Sequence, residues 1–202
     1  MDATKEKILL QASLLFIRYG VKSITMDEIA SKIGISKKTL YQHAENKADL
    51  IQQVIQQHTE QEKCVGEVIR NKSLNAIDEV LGMVSYATEL LRQFSPNLVF
   101  ELQKYYPESW KIVDKLHNEH IFNDVKNNLE RGVREGLYRT DFNIPIITKL
   151  YVAQTLHIID ESIFPNKEFA AEQVLKEFVM YHLQGVVSPK GAAVLKEINN
   201  FL

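Results

Sequence analysis

Between Thr25 and Leu50 three helix-start signals crowd into twenty-six residues, with a glycine after the first. Thr25 followed by Glu28 makes a capping box, and Ile24 and Ile29 stand at hydrophobic-staple spacing around it. Gly34 is suited to the left-handed conformation that ends a helix sharply. Ser36 then offers a second cap, with Ile35 and Leu40 at the same staple spacing, and Asn46 a third, with Asp49 three residues on. Two short helices joined by Gly34-Ile35-Ser36 make a helix-turn-helix. Few folds accommodate that corner, and the remaining chain agrees with it. The apolar periodicity is helical almost throughout, with no alternating strand pattern and no Asn-Gly or Asp-Gly hairpin. Ile8, Leu9, Ala12, Leu15 and Phe16 predict a first helix from Ala3 to Tyr19, stopped at Gly20. Further helices are expected at 47–68, 73–93, 97–105, 108–135, 144–163, 167–185 and 189–201, with Pro96 and Pro189 in first turns.

The second short helix, read as Lys37 to Ala44, carries the chemistry. At about 100° per residue, Leu40 faces inward, Lys38 and Gln42 point nearly opposite, and Thr39 and Tyr41 lie on the flanks. Lys37 and Lys38 sit where the helix dipole disfavours a cation. No acid shares the exposed face, so the compensation is expected from outside. Phosphate oxygens and base edges supply it when the second helix of such a motif enters a major groove.

The stretch resembles the DNA-binding domain of the TetR family of bacterial transcriptional regulators. Gly20, Thr25, Ile29-Ala30, Gly34-Ile35-Ser36, Thr39-Leu40-Tyr41, His43, Lys47 and Leu50 carry the likeness, over about residues 5–55. Beyond it, "GVREGLYRTDF" is phrased as in that family, while Ala44 stands where many members carry phenylalanine. The resemblance implies that Lys37, Lys38, Thr39, Tyr41 and His43 face DNA and that Lys47 touches phosphate. The hydroxyls of Thr25 and Ser36, with Gln42, complete the expected DNA-binding set. It also implies a second helical domain that dimerises and binds an inducer. The expected fold is all-α, with a three-helix DNA-binding domain at 1–46 and a ligand-binding and dimerisation domain at 47–202.

Charge agrees with that division. The chain nets −2, but residues 1–50 hold eight basic against six acidic side chains, and the remainder sixteen against twenty. With 202 residues, 45% hydrophobic and 25% charged, one or two ordinary globular domains are expected. The opening MDATKEK has no apolar run, and no stretch reaches the ~20 apolar residues of a membrane span. Cys64 is the only cysteine, so no intrachain disulfide forms. A cytoplasmic protein with no membrane partner and no cofactor is expected.

In the second half, Met83, Tyr86, Leu90 and Phe94 recur at helical spacing, and Phe100, Tyr106, Trp110 and Phe122 follow. Together with His117 they are the expected pocket for a small apolar or aromatic effector. The competing reading is plain core, and a satisfied core histidine is the commoner role for His117. His117, Glu119 and His120 share no helical face, which argues against a metal site. Cys64 reads as a buried thiol. Too much of the helices near 144–163 and 167–185 is apolar for one buried face. Leu150, Tyr151 and Ile158, with Ala170, Val174, Phe178, Tyr181 and His182, are therefore expected at a homodimer interface. The tail, with Val194, Leu195, Ile198 and Leu202, is expected to dock on this domain. The function expected is a ligand-responsive repressor binding a palindromic double-stranded DNA operator as a homodimer. The alternative is an all-helical interaction module or enzyme with no DNA role, although no Ser/His/Asp constellation, HExxH or phosphate-cradling glycine loop is present.

Overall fold

The computed structural model describes residues 2–95, 97–165 and 167–199. Pro96 and Leu202, and the side chain of Ile198, lie outside what is described. Eleven α-helices follow one another along these residues: α1 Ala3–Tyr19, α2 Met26–Ile33, α3 Lys37–Tyr41, α4 Lys47–Lys72, α5 Ala76–Leu91, α6 Leu98–Tyr105, α7 Pro107–Lys115, α8 Phe122–Arg134, α9 Ile144–Thr155, α10 Ala171–Val186 and α11 Pro189–Asn199. A π-helical segment, Leu116–Ile121, joins α7 to α8, and a 3-10 turn, His157–Ile159, follows α9. Among the described residues there is no strand, only an isolated antiparallel bridge between Tyr138 and Val187. None of the described helices is long and apolar enough to cross a membrane.

Several expected bounds move for local reasons. The helix expected over 108–135 is interrupted by the π segment. The helix expected to reach 163 stops at Thr155, and the chain turns where Asp160 Oδ1 accepts from both the Ser162 N–H (2.9 Å) and its hydroxyl (2.6 Å). That local bonding offers the backbone an alternative to helix. The next helix starts at Ala171, so Ala170 is an extended N-cap residue.

The chain forms two compact units, Met1–Lys63 with Gln93–Leu116, and Cys64–Arg92 with His117–Leu202. Packing therefore divides within α4 rather than at the expected 46/47, and it assigns 93–116 to the first unit. The first core explains why. Ile8, Leu9, Ala12 and Phe16 of α1 and Ile29, Ala30 and Ile33 of α2 meet Leu40, Ala44, the first turns of α4 (Leu50, Ile51, Val54) and Leu98 and Leu102 of α6. A chain of about forty-six residues buries a small share of its surface and is marginal alone, and α4 and α6 add cover to this core.

The second unit packs Ala76 and Ile77 of α5, Leu129 of α8, and Leu175, Val179, Leu183 and Val186 of α10 around Leu137 and Tyr138. Leu195 of α11 docks here, as expected of the tail. A polar network ties the unit together. The buried Glu79 carboxylate lies 3.0 Å from Arg131 and 3.5 Å from Arg70, and Arg131 also bridges to Glu135 at 2.7 Å. Arg70 pairs with Asp124 as well. Asn128 donates to the Ala76 carbonyl (2.9 Å) and accepts from the Tyr138 hydroxyl (3.1 Å). A buried acid persists only with such partners. Cys64, expected to be buried, is exposed.

Candidate nucleic-acid interface

The corner that presents α3 is built from caps. Thr25 Oγ1 accepts from the Glu28 N–H (3.2 Å), and Glu28 Oε2 accepts from the Thr25 N–H (2.7 Å), so the capping box is closed in both directions. Those bonds from Thr25 hold the Glu28 carboxyl below its ordinary range. At the other end of α2, Gly34 adopts φ 77° and ψ 34°, and the N–H groups of Gly34 and Ile35 both reach the Ala30 carbonyl at 3.0 Å. Only glycine takes that left-handed geometry without penalty. Ser36 Oγ then accepts from the Thr39 N–H (3.0 Å) and opens α3. Asn46 caps α4 by accepting from the Asp49 N–H at 3.0 Å.

Helix α3 is shorter than expected. It ends at Tyr41, and the turn tightens as the His43 N–H reaches back three residues to the Leu40 carbonyl (3.0 Å). Leu40 is fully buried, and Ala44 closes the core where a larger ring was the family pattern. Ser36, Lys37, Lys38, Tyr41 and Gln42 are exposed, and Tyr41 is 44% exposed. Thr39 is half-buried, its hydroxyl 2.8 Å from that of Ser36. His43 is half-buried, with its Nε2 3.8 Å from an Asp2 carboxylate oxygen.

One expectation is corrected. Lys37 is not left to an outside partner, because its ammonium lies 2.7 Å from Asp27 Oδ1 on α2. That hydrogen bond raises the Lys37 pKa above its ordinary value. Helical spacing within α3 could not reveal an acid that the Gly34 corner brings across from α2. Lys38 has no such partner among the described residues. Lys47, at the start of α4, donates to the Lys22 carbonyl at 3.3 Å, and partial burial pulls its pKa down against the opposing pull of Glu101 and Glu28.

The expected pocket residues are divided between the two units. Phe94, Tyr106 and Trp110 pack against the first core, and Phe100 is exposed. Met83, Tyr86, Leu90, His117 and Phe122 belong to the second unit, where the His117 Nδ1 lies 3.4 Å from the Thr155 hydroxyl. The aromatic periodicity continues past Leu91 toward α6, whose buried residues Leu98 and Leu102 serve the first core.

The expected dimer residues divide too. Ile158 is in the core of its own chain, sealed by the 3-10 turn, and drops out of the exposed set. Leu150 is 55% and Tyr181 80% exposed. Tyr151 packs on Phe178 and His182, with ring centroids 4.9 and 4.6 Å apart. Val174 is half-buried and Ala170 exposed.

Residues 8–54 match the sequence model of bacterial regulatory proteins of the tetR family. The chain is similar to the HTH-type transcriptional regulator YvaF of Bacillus subtilis, 23% identical over 194 residues that span 93% of this chain and 98% of that one. It is also similar to the HTH-type transcriptional repressor KstR2 of Mycolicibacterium smegmatis, 20% identical with 93% and 92% covered. The same fold is seen in a transcriptional regulator from Cytophaga hutchinsonii, with a TM-score of 0.74 at 20% identity, over 93% of this chain and all of that one. These relatives are regulators rather than enzymes.

Proposed function

The chain is a TetR-family, DNA-binding transcriptional regulator, and from that premise we propose that it acts as a ligand-responsive repressor, a cytoplasmic homodimer on a palindromic operator. The observation that carries the reading is the outward face of α3. The Gly34 corner presents Lys38, Tyr41 and Gln42 to solvent, and no acid pairs with Lys38 among the described residues. Ser36 and Thr25 stand at the helix starts beside it, where hydroxyls and N–H groups meet phosphate. Lys47 and His43 flank that face. The reading head then lies in the first unit, built on residues 1–46, and effector binding and dimerisation fall to the second unit.

Two-fold pairing suits the exposed Leu150 and Tyr181, which cost free energy while they face water. It would set two copies of α3 into successive major grooves, about 34–36 Å apart or a multiple of that. Met83, Tyr86, Leu90, His117 and Phe122 are the residues left to meet an apolar or aromatic effector. Such an effector represses or releases only by favouring one state, with a coupling of about 1–3 kcal/mol.

The test is an anisotropy titration at fixed salt with duplex DNA from immediately upstream of the protein's own reading frame. Lys38→Ala and Tyr41→Ala are expected to weaken binding about tenfold or more, while sedimentation reports a dimer. Wild-type affinity in both variants would sink the reading.

A further inference from the structure

Helix α6 packs into the first unit, beside the helix-turn-helix, and its solvent side carries an unusual cluster. Leu98 and Leu102 bury one face in the first core, which leaves Phe100 56% exposed and Tyr105 43% exposed. Lysines stand over both rings. The Lys104 ammonium is 5.1 Å from the Phe100 centroid and 5.5 Å from that of Tyr105, and the Lys22 ammonium is 5.0 Å from Tyr105. Two cations therefore share one ring, each attracted to the ring face and repelled by the other. Neither has a carboxylate partner among the described residues. The acid nearby, Glu101, turns its carboxylate to the Lys22 backbone N–H at 2.8 Å, which pins α6 to the loop before α2.

This cluster adjoins the residues expected to meet phosphate. The Lys22 carbonyl accepts from Lys47, and Lys22 precedes the Thr25 cap by three residues. We propose that Lys22 and Lys104, held on the Tyr105 ring, touch the phosphate backbone of double-stranded DNA at a second place, flanking the segment read by α3. The proposal rests on the DNA-binding role of α3. A polyanion relieves the repulsion between the two ammoniums, and the rings hold them ready, so binding orders the side chains at smaller entropic cost. The pair reads no base sequence, because only phosphates are within its chemistry.

The experiment compares the full-length protein with Lys22→Gln/Lys104→Gln on the upstream duplex, from 50 to 200 mM salt. Lys111→Gln serves as control, since Lys111 is an exposed lysine of α7 matched by Glu108 at 2.7 Å. The double variant is expected to melt as wild type, to bind about tenfold more weakly at low salt, and to discriminate operator from unrelated duplex as well as before. Its log–log salt slope should be shallower by about 0.9 for each phosphate that no longer meets a lysine. Unchanged slope and affinity, with wild type binding normally, overturn the proposal and leave the role of α3 intact. An equal change in Lys111→Gln also overturns it, because the effect would then be general charge. A wild type that binds no duplex overturns both.

Discussion

Lys37 and Lys38 are adjacent in sequence and different in circumstance. Lys37 spends its charge on Asp27, while Lys38 faces outward without a carboxylate. Both members of the Lys37–Asp27 pair are well exposed, so the pair does little for the fold. Its consequence lies in binding, where Asp27 holds a negative charge beside the helix proposed to face DNA. Asp27→Asn is expected to tighten binding of the upstream duplex about two- to fivefold at low salt, because it frees one cation and removes one repulsive charge. Lys37→Ala should then matter more in the Asp27→Asn background than in wild type. Additive effects in that double-mutant cycle, read by anisotropy, would mean the pair is irrelevant to DNA.

At the scale of elements, caps place the helices and close contacts lock them. The phrase from Gly132 to Phe142 shows how. Gly136 ends α8 with φ 69°, and the Leu137 and Tyr138 N–H groups return to the Gly132 carbonyl at 2.9 and 3.0 Å. Tyr138 then lies against Gly132, so closely that a Cβ there would stand 2.0 Å from its ring. No small shift relieves such an overlap, since the ring is fully buried and its hydroxyl is held by Asn128. Gly132→Ala is expected to destabilise the protein by about 3 kcal/mol or more, read from urea or guanidinium unfolding. A loss under about 1 kcal/mol would show that Tyr138 repacks freely. This residue pair was legible in sequence only as a family-like phrase. Its physical reason is the ring–backbone contact, which needs coordinates to be seen.

At the scale of the whole molecule, two cores organise the chain, and the second carries a pH dependence. His182, packed edge-on to Tyr151, is kept from protonating by burial, which lowers its pKa from 6.5 to about 4. The same burial raises the Tyr151 phenol to about 12. The folded state thus binds fewer protons at His182 than the unfolded chain does between pH 6.5 and about pH 4. Its contribution is fully present above about pH 6.5 and is lost as pH falls toward 4, a loss of roughly 3 kcal/mol at most. His182→Phe should keep more of its stability than wild type as the pH is lowered from about 7 to about 4.5. Equal losses in denaturant unfolding at the two pH values would count against a buried neutral imidazole.

The helical class, the three caps between Thr25 and Asn46, the Gly34 corner and the inward Leu40 all followed from the sequence. Each depends on residues within four or five positions of one another, where spacing alone fixes who meets whom. Tertiary structure decided the rest. Asp27 reaches Lys37 only across the corner. Phe94, Tyr106 and Trp110 join the first core only because α6 returns to it, and Ile158 is sealed by a turn that side-chain bonding at Asp160 creates. Periodicity reports that a face is apolar, but which neighbour covers it depends on contacts between residues far apart in the chain.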